Sequence, residues 1–132
     1  MGSTSAALSL IGRVMLAAIF LASGIDKITG FQGLIGAIAS KGLPVPQVFA
    51  ALTIIVEIGG ALMLVFGWKA RWGAFALAAF TAIVTMLFHN FWAVPPAQKM
   101  MEQIQFMKNV AIIGGLLFVM AFGPGRISVD KR

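Results

Sequence analysis

The sequence has no cysteine, no tyrosine and a single histidine, His89. Disulfide exchange, zinc–thiolate sites and iron–sulfur clusters need thiolates, so this chain alone cannot carry them, and a tyrosyl radical is excluded likewise. A bis-histidine haem would need a second histidine, whereas a His/Met haem is not excluded. Charge is scarce too, at 11% of 132 residues with only four acids. Soluble domains carry about a quarter charged residues. What is present instead is 60% hydrophobic residues, the composition of a membrane protein too short for more than one compact bundle. The net charge of +6 raises the question of nucleic acid. Lys and Arg flank apolar runs, however, which fits membrane anchoring better than a phosphate-tracking patch, so no nucleic-acid partner is expected.

Four apolar segments are long enough to span a bilayer at about 20 residues each: approximately residues 6–25, 45–67, 70–90 and 104–122. The N-terminal stretch lacks a basic n-region and is interrupted by Arg13, so it reads as a retained first span. Short connections imply antiparallel neighbours. The expected fold is therefore all-α, one polytopic domain over residues 1–132 built as a four-transmembrane-helix bundle. Between the first two spans, Phe31, Leu34, Ile35 and Ile38 recur at the spacing of one helical face, with Gly42, Pro44 and Pro46 beyond. That pattern predicts a short interfacial helix within residues 30–42. Lys69, Arg71, Arg126, Lys131 and Arg132 fall on one side of such a bundle and favour both termini in the cytoplasm. "IGGALMLVFGWKAR" (58–71) echoes "IGGLLFVMAFGPGR" (113–126), as though the second and fourth spans were copies in two related hairpins.

Within the second span stands one carboxylate, Glu57. Left unpaired at the bilayer centre it would cost at least ~2.5–3.5 kcal/mol. It lies about 16 Å along its span from Pro46, and Arg13 about 18 Å from Ile25, at 1.5 Å per residue. Equal depth on adjacent antiparallel helices predicts an intramembrane ion pair between Arg13 and Glu57. Lys27 shares the face of Arg13, while His89, Trp92 and Lys108 reach the same outer half from the third and fourth spans. Arg13, Lys27, Glu57, His89, Trp92 and Lys108 are the ligand-binding candidates, with Glu57 and His89 the candidate proton carriers. Two readings of Glu57 stay open, a latch between helices or the floor of a site, the latch being preferred. Met100, Met101 and Met107 with His89 match no recurrent copper motif, and no metal site is expected.

In this order, Arg13 with "FLASGIDKITGF" (20–31), "KGLPVP" (41–46), "VEIGGALMLVFGWKAR" (56–71), "FHNFW" (88–92) and "FMKNVAIIGGLL" (106–117) resemble the DoxX family of small bacterial membrane proteins. The resemblance covers nearly the whole chain. It implies four transmembrane helices in the cytoplasmic (inner) membrane of bacteria and an association with oxidoreductases. It leads to a first expectation: a quinone-interacting or redox-associated subunit in the lipid bilayer, acting with a partner redox protein, with quinone as its ligand. A non-catalytic membrane scaffold is the alternative. A small-solute or proton-coupled transporter is a further one, and would call for a homodimer, because four helices offer only a narrow pathway.

Overall fold

Five α-helices account for most of the chain in the computed structural model, which describes residues 2–132. They are α1 (Ser3–Thr29), α2 (Phe31–Ser40), α3 (Pro46–Phe66), α4 (Ala70–Phe88) and α5 (Pro96–Phe122), with one turn of 3₁₀-helix at Phe91–Ala93 before α5. Among the described residues there is no strand. The helices α1, α3, α4 and α5 are each long and apolar enough to cross a membrane, and α2 is the short apolar helix between the first two. The last apolar span is the distal part of α5, which begins at Pro96 and runs for 27 residues.

Local chemistry sets the boundaries. Proline occupies the first turn of α3 and of α5, where its missing N–H is one the helix would leave unpaired anyway. Helix α3 stops at Gly67, whose φ is +67°. The N–H of Trp68 reaches the Met63 carbonyl and that of Gly67 the Leu64 carbonyl, a Schellman closure that needs a left-handed residue.

Helix α1 packs chiefly on α3, α3 on α4 and α4 on α5, with a lighter contact from α5 back to α1 that closes the ring. Small residues fill the seams: Ala17, Ala61, Ala70 and Ala74 are fully buried beside Leu64, Leu77 and Leu116. Lipid supplies no hydrophobic drive between helices, so close van der Waals contact must hold them. A Cβ on Gly60 would lie 2.7 Å from Leu77, and one on Gly115 3.1 Å from Leu16. The second glycine of each echoing "IGG" is thus the packed one, against α4 in one case and α1 in the other. Outward faces carry Ile55, Phe75, Leu117 and Phe118, apolar on the outside as a bilayer requires.

After α5 the tail folds back beneath the bundle. The N–H groups of Val129 and Asp130 donate to the carbonyls of Phe66 and Gly67. The Asp130 carboxylate accepts from the N–H groups of Lys69 and Ala70, both at 2.9 Å. It therefore caps α4 from the far end of the sequence and meets the positive end of that helix's dipole.

Candidate functional site

Glu57 is 2% exposed on the inward face of α3. Gly24 lets α1 approach it: a Cβ there would stand 2.6 Å from Ile58 and 3.4 Å from the Glu57 Cβ. One turn further along α1, the Lys27 ammonium donates to Glu57 Oε1 and, at 2.7 Å, to the Ser23 hydroxyl. The ion pair of the membrane core is therefore Lys27–Glu57.

The expected Arg13–Glu57 pair is corrected by the structure. Arg13, 2% exposed, donates through Nη1 to the carbonyls of Leu64 (2.6 Å) and Val65 (3.3 Å), and through Nη2 to that of Ile127 (2.5 Å). Its Nε has no partner among the described residues. The depth count fails because α1 continues past Ile25 to Thr29. Gly24, not Arg13, is the residue of α1 level with Glu57, and the eleven residues from Arg13 to Gly24 put Arg13 roughly 16 Å deeper. Arg13 accordingly lies at the tail end of the bundle, where the last carbonyls of a helix lack partners within it, and it ties α1, α3 and the tail together.

Above the Lys27–Glu57 pair, toward His89, opens a cavity of about 460 Å³ walled by all five helices. Its walls are mostly apolar, with Phe20, Ile38, Phe80, Val84, Phe88 and Ile112, and its polar atoms are few and local. Glu57 faces it from α3, Lys27 and Ser23 from α1, Thr81 from α4, His89 from the end of α4, and Lys108 and Asn109 from α5. Glu57 Oε1 is taken by Lys27, and none of the described residues donates to Oε2. One wall is braced by a hydroxyl ladder. Asn109 Nδ2 donates to Thr85 Oγ1 at 2.9 Å, Thr85 donates to the Thr81 carbonyl, and Thr81 donates to that of Leu77 at 2.7 Å.

At the rim, His89 Nδ1 lies 3.0 Å from Glu102 Oε2, both side chains partly exposed. The Lys41 ammonium stands 5.3 Å from the Phe88 ring centroid, a cation–π distance. Lys108 is exposed and enters no ion pair among the described residues. Trp92 does not line the cavity. It is 54% exposed and packs edge-on against Phe91 and Phe106, an interfacial aromatic cluster. Met100, Met101 and Met107 are also exposed.

Of the six candidates from the sequence, the structure brings Lys27, Glu57, His89 and Lys108 to one cavity and leaves Arg13 and Trp92 outside it. Ser23, Thr81 and Thr85 escaped the sequence reading. Their signal was available as hydroxyls one helical turn apart within apolar runs, Thr81 and Thr85 at i and i+4. Together these groups present a donor and an acceptor side by side on the floor, amid apolar walls, with a cation at the mouth. That set suits a ligand with a polar group on an apolar body.

A family model described as DoxX matches residues 8–90, a stretch that includes Arg13, Lys27, Glu57 and His89 but not Lys108 or Asn109. Among curated proteins, the inner membrane protein YphA of Escherichia coli (strain K12) is 32% identical over 131 residues, 99% of this chain and 94% of that one. The inner membrane protein YqjF of the same strain is 34% identical over 122 residues, 92% and 88% of the two chains. A Surfeit locus protein 4 homolog of Schizosaccharomyces pombe is 28% identical over 125 residues, 93% of this chain but 36% of the longer one. No solved structure gives a significant match.

Proposed function

Starting from the fact that the chain belongs to the DoxX family of inner-membrane proteins, we propose that its cavity binds the head of a quinone and that the protein serves as a membrane subunit for a partner redox protein. The observation that carries the reading is the Lys27–Glu57 pair on the floor of a largely apolar cavity. A charged pair inside the membrane costs desolvation that apolar packing would avoid, and a site is one reason to retain it. The Lys27 ammonium has a third N–H left for a ligand carbonyl, and Glu57 Oε2 is an open acceptor for a ligand hydroxyl. Asn109 and the Thr81–Thr85 ladder hold the opposite wall in place, and Lys108 adds a cation at the mouth. A quinone supplies two-electron, two-proton redox chemistry when bound. The chain's own groups bind and orient the head and, through Glu57 and His89, hold or pass protons. The electrons come from the partner.

The proposed orientation puts both termini in the cytoplasm, from the basic residues at the tail end, so the cavity lies in the periplasmic half of the membrane. Because the chain has no cysteine, single cysteines placed at Gln98 and Ser128 report this directly. An impermeant thiol reagent added to whole cells should label the first and spare the second. The transporter reading is less favoured: Arg13 and the returning tail close the bundle opposite the cavity. The scaffold reading predicts that Lys27 and Glu57 matter for folding alone.

The test is identification of small molecules that co-purify with the protein by mass spectrometry, followed by quinone binding to His89→Ala and Lys108→Ala. Co-purified quinone, with binding weakened in both variants, supports the reading. An empty protein whose added quinone binding is indifferent to both substitutions defeats it and leaves the scaffold.

A further inference from the structure

A second hollow adjoins the first. It lies on the lipid-facing side of the bundle between α1 and α2, and Ile19, Ser23, Lys27 and Leu34 line both. Ala22 and Gly30 complete its walls, with Asp26 at its outer end. The two hollows thus adjoin across these four side chains, one reaching the Lys27–Glu57 pair and the other facing the lipid. The way the helices pack explains why the second is open. Helix α2 lies mainly along α3 and touches α1 only lightly, so the α1 side of α2 has no neighbour to seal it. Ile19 and Ala22 are exposed and Leu34 is half-buried. The Lys27 ammonium is drawn inward by Ser23 and Glu57, which leaves its aliphatic stem to line the threshold.

From this adjacency we propose that the ligand is an amphiphile with a single long apolar chain, whose head enters sideways from the bilayer and whose chain lies out between α1 and α2 past Ile19, Ala22 and Leu34. The inference rests on the cavity being a head-group site, and it adds the ligand's architecture and route. Lipid is as apolar as the groove, so the chain gains little by leaving the bilayer. The groove matters sterically: a head tied to a long chain can seat only where the chain has an open way out.

The experiment compares two probes on the full-length protein in micelles: a benzoquinone with no side chain and the same head carrying a long isoprenoid chain. Ala22→Trp and Gly30→Trp fill the groove from α1 and from the α1–α2 junction, at residues that line it and not the cavity. Both are read as the ratio of variant to unmodified affinity, in which partition of each probe into the micelle cancels. Expected is a loss of about tenfold or more for the chain-bearing probe with the bare head unchanged. Retained binding of the bare head also certifies that the variant is folded. Equal losses for both probes, or no loss for either, would overturn the groove assignment while leaving the cavity reading intact. If the unmodified protein binds neither probe, the head-group reading falls and this inference falls with it.

Discussion

Replacing Lys27 with methionine removes the ammonium while keeping most of the stem. Glu57, 2% exposed, then stands with no cation, whereas Lys27 was itself 29% exposed. The pair is therefore asymmetric. Stripping the partner from the more buried charge is the more damaging change, because a lone carboxylate in an apolar surrounding loses its compensation. Breaking a buried pair usually costs about 3–5 kcal/mol, and water admitted through the cavity places Lys27→Met near the low end, at about 3 kcal/mol. Glu57→Gln leaves an ammonium that keeps Ser23, gains the amide oxygen and is better hydrated, and should cost only about 1–1.5 kcal/mol. With both changes made, neither charge is stranded. The double variant should then recover part of the loss, giving a coupling of about 1.5 kcal/mol or more. Equilibrium unfolding in mixed micelles measures all four corners of the cycle. The pairing is refuted if the single costs add to within about 0.5 kcal/mol. It is equally refuted if a parallel cycle gives the coupling to Arg13 and Glu57 in place of Lys27 and Glu57.

Asp130→Ala should lower stability by about 1–2 kcal/mol, the loss of a charged cap with two backbone donors, and the thermal midpoint in micelles reads it. Gly67→Ala should be worse, because φ is +67° and the new Cβ would fall 2.2 Å from that of Ser128; a sharp drop in folded yield is expected, while Gly59→Ala, with open space around it, should be tolerated. Arg13→Met should loosen the tail, read as faster proteolysis after α5, without changing the cavity's affinity for the quinone head. Asn109→Leu should break the buried Thr85 contact, weaken quinone-head binding by several-fold and lower stability by about 1 kcal/mol, since the Thr85 hydroxyl loses its donor.

The membrane class, the four crossing helices and the short helix between the first two were legible because apolar runs and a 3.6-residue spacing depend on local sequence alone. The placing of Lys27, Glu57, His89 and Lys108 in one half of the bundle follows from counting along the spans, although the same count put Arg13 and Trp92 with them, which the cavity leaves out. The identity of the Glu57 partner was not legible. It turned on where α1 ends, and Asp26–Thr29 continue the helix although their polarity reads as a boundary. One extra turn shifts a residue by about 5.4 Å, more than a side chain's tolerance for a partner. The tail was illegible for a different reason. Gly123–Arg132 carries no periodicity, and its place depends on carbonyls at the end of α3 and N–H groups at the start of α4, which no local pattern marks.

The grip of Arg13 has a consequence for biosynthesis. Its two sets of carbonyl partners lie 51 and 114 residues further along the chain. At about 5–20 residues per second, α1 enters the membrane several seconds before Leu64 exists, and longer still before Ile127 does. Through that interval the guanidinium must be satisfied by something other than its final partners. Because Arg13 lies toward the tail end of α1, headgroups and water at that surface are within its reach. The first helix is thus held provisionally until the end of the chain arrives to secure it. Slowing synthesis between α3 and the tail should prolong the half-secured state, and quality-control proteases should find α1 there before Ile127 does.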